Sequence, residues 1–212
     1  MARVLIIGAS KGIGLETVQR ALAAGHTVRA FARTPVRLVG ADTSRLEVVK
    51  GNALKTEDVE AALDRVDVVI QTLGIGLGDM LGPVQLFSKS TRVLLPTMEA
   101  KRVRRLIAVT GFGAGDSKSS ISFLQYIPFR LVFGRAYDDK DIQEKLIKAS
   151  SLDWTIARPG ILTNGHRLGT YRVLTEPQDW HNGTISRADV ADFLVQQITD
   201  RSHVRKTPVL VY

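Results

Sequence analysis

The sequence predicts an α/β fold of three layers: a doubly wound, mostly parallel sheet with helices on both faces. Three observations carry this. Short apolar runs alternate with longer amphipathic stretches along most of the chain, the pattern of parallel strands joined by crossover helices. The first run, Val4-Leu5-Ile6-Ile7, is continuously apolar, as a strand buried on both faces is. It meets a G-x-x-x-G-x-G turn, Gly8-Ala9-Ser10-Lys11-Gly12-Ile13-Gly14, and then residues rich in helix formers up to a stop at Gly25.

The elements follow in order. Residues 2–7 read as strand one and 12–24 as helix one; 26–31 form strand two, stopped beyond Arg33-Thr34 by Pro35. Residues 46–50 are a short strand three ended by Gly51-Asn52. Thr56 is placed as an N-cap for a helix carrying Val59, Ala62 and Leu63. Strand four is 67–71, and Pro83 opens a helix with Pro96 inside it. Residues 105–110 are strand five. The stretch 117–135 is markedly apolar around Pro128 and resists assignment, and a helix is read from 138 to 150. Strand six is 154–157, then 170–174 is a weaker strand. Ser186 caps a helix with Asp189 at the capping-box position, and 207–212 closes the chain as a strand. Right-handed crossovers give the order 3-2-1-4-5-6, with the last strand added at the edge. The loops after the strands then gather on one rim.

Bulk properties narrow the function. The 212 residues are 44% apolar and 24% charged, enough for one domain spanning 1–212 with a substantial core. No apolar run approaches the roughly 18 residues of a membrane span. Residues 1–3 lead directly into the first strand, so a cytoplasmic protein without membrane partner is expected. There are no cysteines, which excludes disulfides and thiolate chemistry. His26, His166, His181 and His203 are scattered, so no metal site is expected. The net charge of +8 suits an anionic cofactor or partner. Its densest run, Lys101-Arg102-Val103-Arg104-Arg105, reads as a solvated helix end, and no aromatic residues interleave it as nucleic-acid binding would want.

The site is expected at that rim. A strand, a glycine turn and a helix build an anion site, because the helix N-terminus offers unpaired N–H groups and glycine lets phosphate approach the backbone. Gly8, Ala9, Ser10, Lys11, Gly12 and Ile13 are therefore candidate diphosphate contacts. A carboxylate at the end of strand two would bind the ribose 2′-hydroxyl of NAD(H). This chain has Arg33, which suits the 2′-phosphate of NADP(H), with Thr34 adding a hydroxyl and Arg37 a second cation. By topology, Asn52 and Ala53 meet the adenine, and Thr72, Leu73 and Gly74 pass beneath the adenosine ribose.

These residues resemble a family. The glycine turn, Ala32-Arg33-Thr34, Leu152-Asp153-Trp154-Thr155-Ile156-Ala157-Arg158-Pro159-Gly160 and Ile185-Ser186-Arg187-Ala188-Asp189-Val190-Ala191 are similar to the atypical short-chain dehydrogenase/reductase superfamily. The nearer groups are NAD(P)H-binding proteins akin to biliverdin reductase B/flavin reductase and NmrA-like proteins. The resemblance implies a Rossmann fold, with Pro159, Gly160 and Ile161 as nicotinamide contacts and Lys140 on the nicotinamide ribose hydroxyls. Thr110, where many members have a serine, would polarise a substrate carbonyl or merely cap its strand. Departures are visible. The glycine spacing is that of the conventional branch rather than G-x-x-G-x-x-G. Tyr137-Asp138-Asp139-Lys140 is one residue short of Tyr-x-x-x-Lys, so the motif does not by itself place Tyr137 one helical turn before Lys140 on the same face. Gly160 replaces the histidine of biliverdin-reducing relatives.

The expected activity is NADPH-dependent hydride transfer to a small planar acceptor of flavin or quinone type, by a monomer or homodimer. Such an acceptor can take its proton from water. Residues 121–133 either wall the acceptor pocket or serve as core or dimer surface, and acceptor-site elements are expected within 115–137 and 160–185. The alternative is a non-catalytic NADP(H) redox sensor of the NmrA-like type acting through a protein partner. A sugar-nucleotide epimerase-like enzyme is disfavoured by the broken tyrosine–lysine spacing.

Overall fold

The period-two alternation of the first strand decides the layering. In β1 (Arg3–Ile7), Val4 and Ile6 enter one apolar core while Leu5 and Ile7 enter another on the opposite face. The computed structural model describes residues 1–34, 43–76, 84–120 and 123–212, the stretch 123–132 by its backbone alone. The first core also takes Val18, Ala21 and Leu22 from α1 (Gly12–Ala23) and Val190, Phe193 and Leu194 from α5 (Arg187–Gln196), which pack on each other. The second takes residues of α2 (Thr56–Ala62), α3 (Leu86–Ala100) and α4 (Phe123–Ala149).

The strands β2 (Thr27–Ala32), β3 (Leu46–Lys50), β4 (Val68–Gln71), β5 (Arg105–Val109) and β6 (Asp153–Pro159) pair in parallel around β1, in the expected order β3-β2-β1-β4-β5-β6. The far side differs from expectation. The last strand, β10 (Val209–Val211), is not the edge: it runs parallel to β6 and is covered by β8 (Arg172–Leu174), which is antiparallel and forms the edge. A separate two-stranded sheet pairs β7 (Ile161–Thr163) with β9 (Thr184–Ser186). Three-residue strands carry too little alternation to announce themselves in sequence.

Other expectations need correction. The fourth helix begins at Phe123, not at 138, and runs 27 residues through Pro128. A proline inside a helix removes one hydrogen bond and strains the turn before it, which here does not end the helix. Thr56 is the first helical residue of α2, and Lys55 holds the cap position without a side-chain bond. Ser186 does cap α5, its Oγ accepting from the Asp189 N–H at 3.0 Å. The basic run is not wholly solvated. Arg105 is buried and donates to Gln197 O at 2.9 Å and Thr155 Oγ1 at 2.9 Å, tying β5 to β6 and to the end of α5. Pro83, Arg37 and the end of the loop after β4 lie outside the described residues. Among the described residues no helix is long and apolar enough to cross a membrane.

Candidate functional site

A cleft of about 1290 Å³ opens along the C-terminal ends of β1 to β6, over the switch point between β1 and β4. Every described residue expected at the site except Ala9 lines it: Gly8, Ser10, Lys11, Gly12, Ile13, Arg33, Thr34, Asn52, Ala53, Thr72, Leu73, Gly74, Thr110, Lys140, Pro159, Gly160 and Ile161. Ala9 is fully buried in the core, and its N–H points at Phe31 O at 3.4 Å.

The β1–α1 end of the cleft is backbone. A Cβ on Gly14 would stand 2.1 Å from Gly8 O and 2.7 Å from Thr72 Oγ1, so the turn closes on itself and on the end of β4 only because glycine is there. Thr72 Oγ1 donates to Ile7 O at 3.0 Å and fixes that contact. Helix α1 starts uncapped: Lys11 is extended, makes no side-chain cap bond, and no acid lies in the first turn. Its first N–H groups and positive dipole end therefore face the cleft without an internal anion. Arg33 and Thr34 are exposed on the rim at the end of β2, and Arg33 makes no ion pair among the described residues. Asn52 forms a local turn, its Oδ1 accepting from Leu54 N at 3.0 Å.

The opposite end is built from side chains of α4. Lys140 donates from Nζ to Thr110 O at 2.5 Å and lies 5.2 Å over the Phe87 ring and 4.9 Å over the Tyr137 ring. Burial of the ammonium between these rings pushes its pKa down to about 8, against the pull of Glu144. Tyr137 stands on the same face as Lys140, a placement the shortened motif left open, because residues three apart on a helix are also neighbours. Its hydroxyl lies over Gly111, where a Cβ would approach Tyr137 Oη to 2.6 Å, and burial pushes its pKa up to about 12. Asp139, between them, is buried and accepts from Phe87 N at 2.8 Å and Ser88 N at 3.2 Å. That bond caps α3 from outside and brings Phe87 against Lys140.

Beneath lies a buried ion network. Thr110 donates from Oγ1 to Glu144 Oε1 at 2.8 Å, so its one hydroxyl proton is directed into the protein. Glu144 also accepts from Arg158 Nε at 3.0 Å and Nη2 at 2.5 Å. Arg158 is 0% exposed, reaches Asp116 as well, and stacks 5.0 Å over Trp180. Next to it, a Cβ on Gly160 would stand 2.3 Å from Gly183 O, so no side chain, histidine included, fits there. Sequence reading missed Tyr137, Phe87, Phe112 and Arg187 at the cleft. The three-residue spacing to Lys140 was a sufficient signal for Tyr137; the others reach the cleft through long-range contacts with no local mark.

Comparison with known proteins fits this architecture. A family model described as NAD(P)H-binding matches residues 8–201. The chain belongs to that family. Solved short-chain dehydrogenase/reductases share its fold. Among solved structures, the family member's chain is 26% identical to ChuY of Escherichia coli O157:H7, described as an anaerobillin reductase, with a TM-score of 0.80 over 99% of this chain and 96% of that one. A Veillonella parvula short-chain dehydrogenase/reductase in complex with NADP shares the fold, at 17% identity and TM-score 0.79 over 100% of this chain and 94% of that one. Among curated proteins, the chain is 25% identical to the chloroplastic protein TIC 62 of Pisum sativum over 88% of its own length and 36% of that protein's. It is 24% identical to the photosystem II assembly factor Ycf39 of Synechocystis over 97% of its own length and 61% of that protein's. The chain thus spans about a third and about three-fifths of these two relatives.

Proposed function

We propose that this protein is an NADPH-dependent reductase that delivers hydride to a small planar acceptor of flavin or quinone type. The observation that carries the reading is the charge of the cleft. Four cations line it, Lys11, Arg33, Lys140 and Arg187, with no carboxylate among the described lining residues. The uncapped start of α1 adds a fifth positive element. A dinucleotide diphosphate and a 2′-phosphate are the anions such a distribution suits.

In this reading Gly8, Ser10, Lys11, Gly12 and Ile13 hold the diphosphate, and Arg33 and Thr34 the 2′-phosphate. Asn52 and Ala53 flank the adenine, Thr72 to Gly74 the adenosine ribose, and Pro159, Gly160 and Ile161 the nicotinamide. The bound cofactor supplies the hydride. The protein supplies position and an apolar acceptor wall from Phe87, Phe112 and Ile161. Lys140 orients the nicotinamide ribose, and Thr110 holds Lys140 through its carbonyl while its hydroxyl donates a hydrogen bond to Glu144. Tyr137 Oη, kept protonated by burial, lies beside Lys140 at the reacting end. One of the similar structures is described as an anaerobillin reductase, which supports a reductase reading.

Mixing the protein with NADPH and a panel of flavins, quinones and linear tetrapyrroles, and following the nicotinamide absorbance, tests the proposal. Acceptor-dependent NADPH oxidation is expected; none across the panel, with NADPH bound, would sink the catalytic reading. The second reading, an NADP(H)-responsive protein working through a partner, draws support from Ycf39, a relative described as an assembly factor. It requires partner affinity that differs between NADP+ and NADPH.

A further inference from the structure

We propose that Arg187, the first residue of α5, is a diphosphate clamp that closes on the cofactor from the side facing the glycine turn. The inference rests on the cofactor reading above and extends it to a residue remote in sequence from the turn. Arg187 lines the cleft, and a Cβ built on Gly12 would stand 3.8 Å from its Nε and 3.9 Å from its Cδ. The guanidinium stem thus lies across the start of α1, where the uncapped N–H groups open.

The side chain is held there by two neutral acceptors. Nη1 donates to Thr163 O at 3.0 Å and to Asn164 Oδ1 at 2.7 Å. Thr163 ends β7, and its register with Ser186 of β9 places Arg187 beside it. The small β7–β9 sheet is therefore the mount for this arginine. Carbonyl and amide oxygens fix the fork without neutralising it. Among the described residues, Nε and Nη2 have no hydrogen-bond or ion-pair partner. The acid nearest in sequence, Asp189, is turned elsewhere: it accepts from Leu168 N, Gly169 N, Ser186 Oγ and Tyr212 Oη. A charged fork, pre-oriented and left uncompensated beside an anion-binding helix start, suits two phosphate oxygens.

The clamp and the 2′-phosphate contact at Arg33 predict different ligand dependence. Calorimetric titration of wild type and Arg187→Ala with NADPH, NADH, ADP-ribose and adenosine 2′-monophosphate separates them. The variant is expected to bind NADPH, NADH and ADP-ribose about tenfold more weakly, each by the same factor, with adenosine 2′-monophosphate unchanged. Wild-type affinity for ADP-ribose in the folded variant, or equal weakening of adenosine 2′-monophosphate, would overturn the clamp. If Arg187→Ala does not fold, Arg187→Gln, which keeps a donor for Thr163 O, is read by the same criteria. Failure of the wild type itself to bind NADPH would instead remove the cofactor reading, and the clamp with it.

Discussion

At the β1–α1 end the cleft is made of backbone; at the α4–β6 end it is made of side chains. The first end is held by sterics, a turn so tight that Gly14 has 2.1 Å between an imagined Cβ and Gly8 O, with cations left exposed around it. The second is held by charge in a buried setting, with Glu144 and Arg158 at 1% and 0% exposure and Lys140 packed between two aromatic rings. The two ends are therefore vulnerable to different changes. A surface cation at the first end is replaceable without harm to the fold, while almost any charge change at the second reaches the core.

The largest expected effect tests that second end. Glu144→Ala leaves Arg158 buried with Asp116 as its one charged partner among the described residues and should cost about 3–5 kcal/mol of stability, read from urea or guanidinium unfolding. A loss under about 1 kcal/mol would mean the network is not the support described. Next is Gly14→Ala. A backbone oxygen must move to admit the methyl group, so a loss of about 1–3 kcal/mol is expected, with weaker NADPH binding beyond what unfolding explains. If stability and cofactor affinity both hold, the turn is looser than its geometry says.

Arg33→Asp sharpens the contrast from the other side. Stability should stay within about 0.5 kcal/mol, because the residue is exposed, while NADPH affinity falls about tenfold or more and NADH affinity is spared. Equal loss for both cofactors would remove Arg33 from the 2′-phosphate. The smallest effect is in pH. Lys140 is depressed to about 8 from its ordinary 10.5. Between those values the unfolded chain holds a proton that the folded chain lacks, so this group makes stability rise with pH in that window and adds no slope below it. Cofactor affinity runs the opposite way, falling above about pH 8 as the ammonium loses its charge. Lys140→Met should flatten that fall in titrations across pH; an unchanged profile would assign it to another group.

The same contrast explains what the sequence made legible. The β1–α1 end is local: an apolar run, three glycines and a helix are contiguous, and Arg33 follows at a spacing that topology fixes. So the order β3-β2-β1-β4-β5-β6 and the cleft lining at this end could be read directly. The other end depends on distant pairings. Arg158 meets Glu144 and Asp116, Arg187 meets Gly12, and β10 is enclosed by β8, none of which leaves a periodic trace. Pro128 hid the first half of α4 because a proline inside an apolar run reads as an interruption. Tyr137 was hidden by a comparison of motifs, although its three-residue separation from Lys140 already placed both on one helix face.

In the proposed function this cleft is an NADPH site whose preference is set by Arg33. Side-by-side calorimetric titration of the wild-type protein with NADPH and NADH tests it most directly. One saturable site is expected for each, with NADPH the tighter and its advantage shrinking as salt screens the exposed arginine. No saturable binding of either cofactor, or tighter binding of NADH, would contradict it.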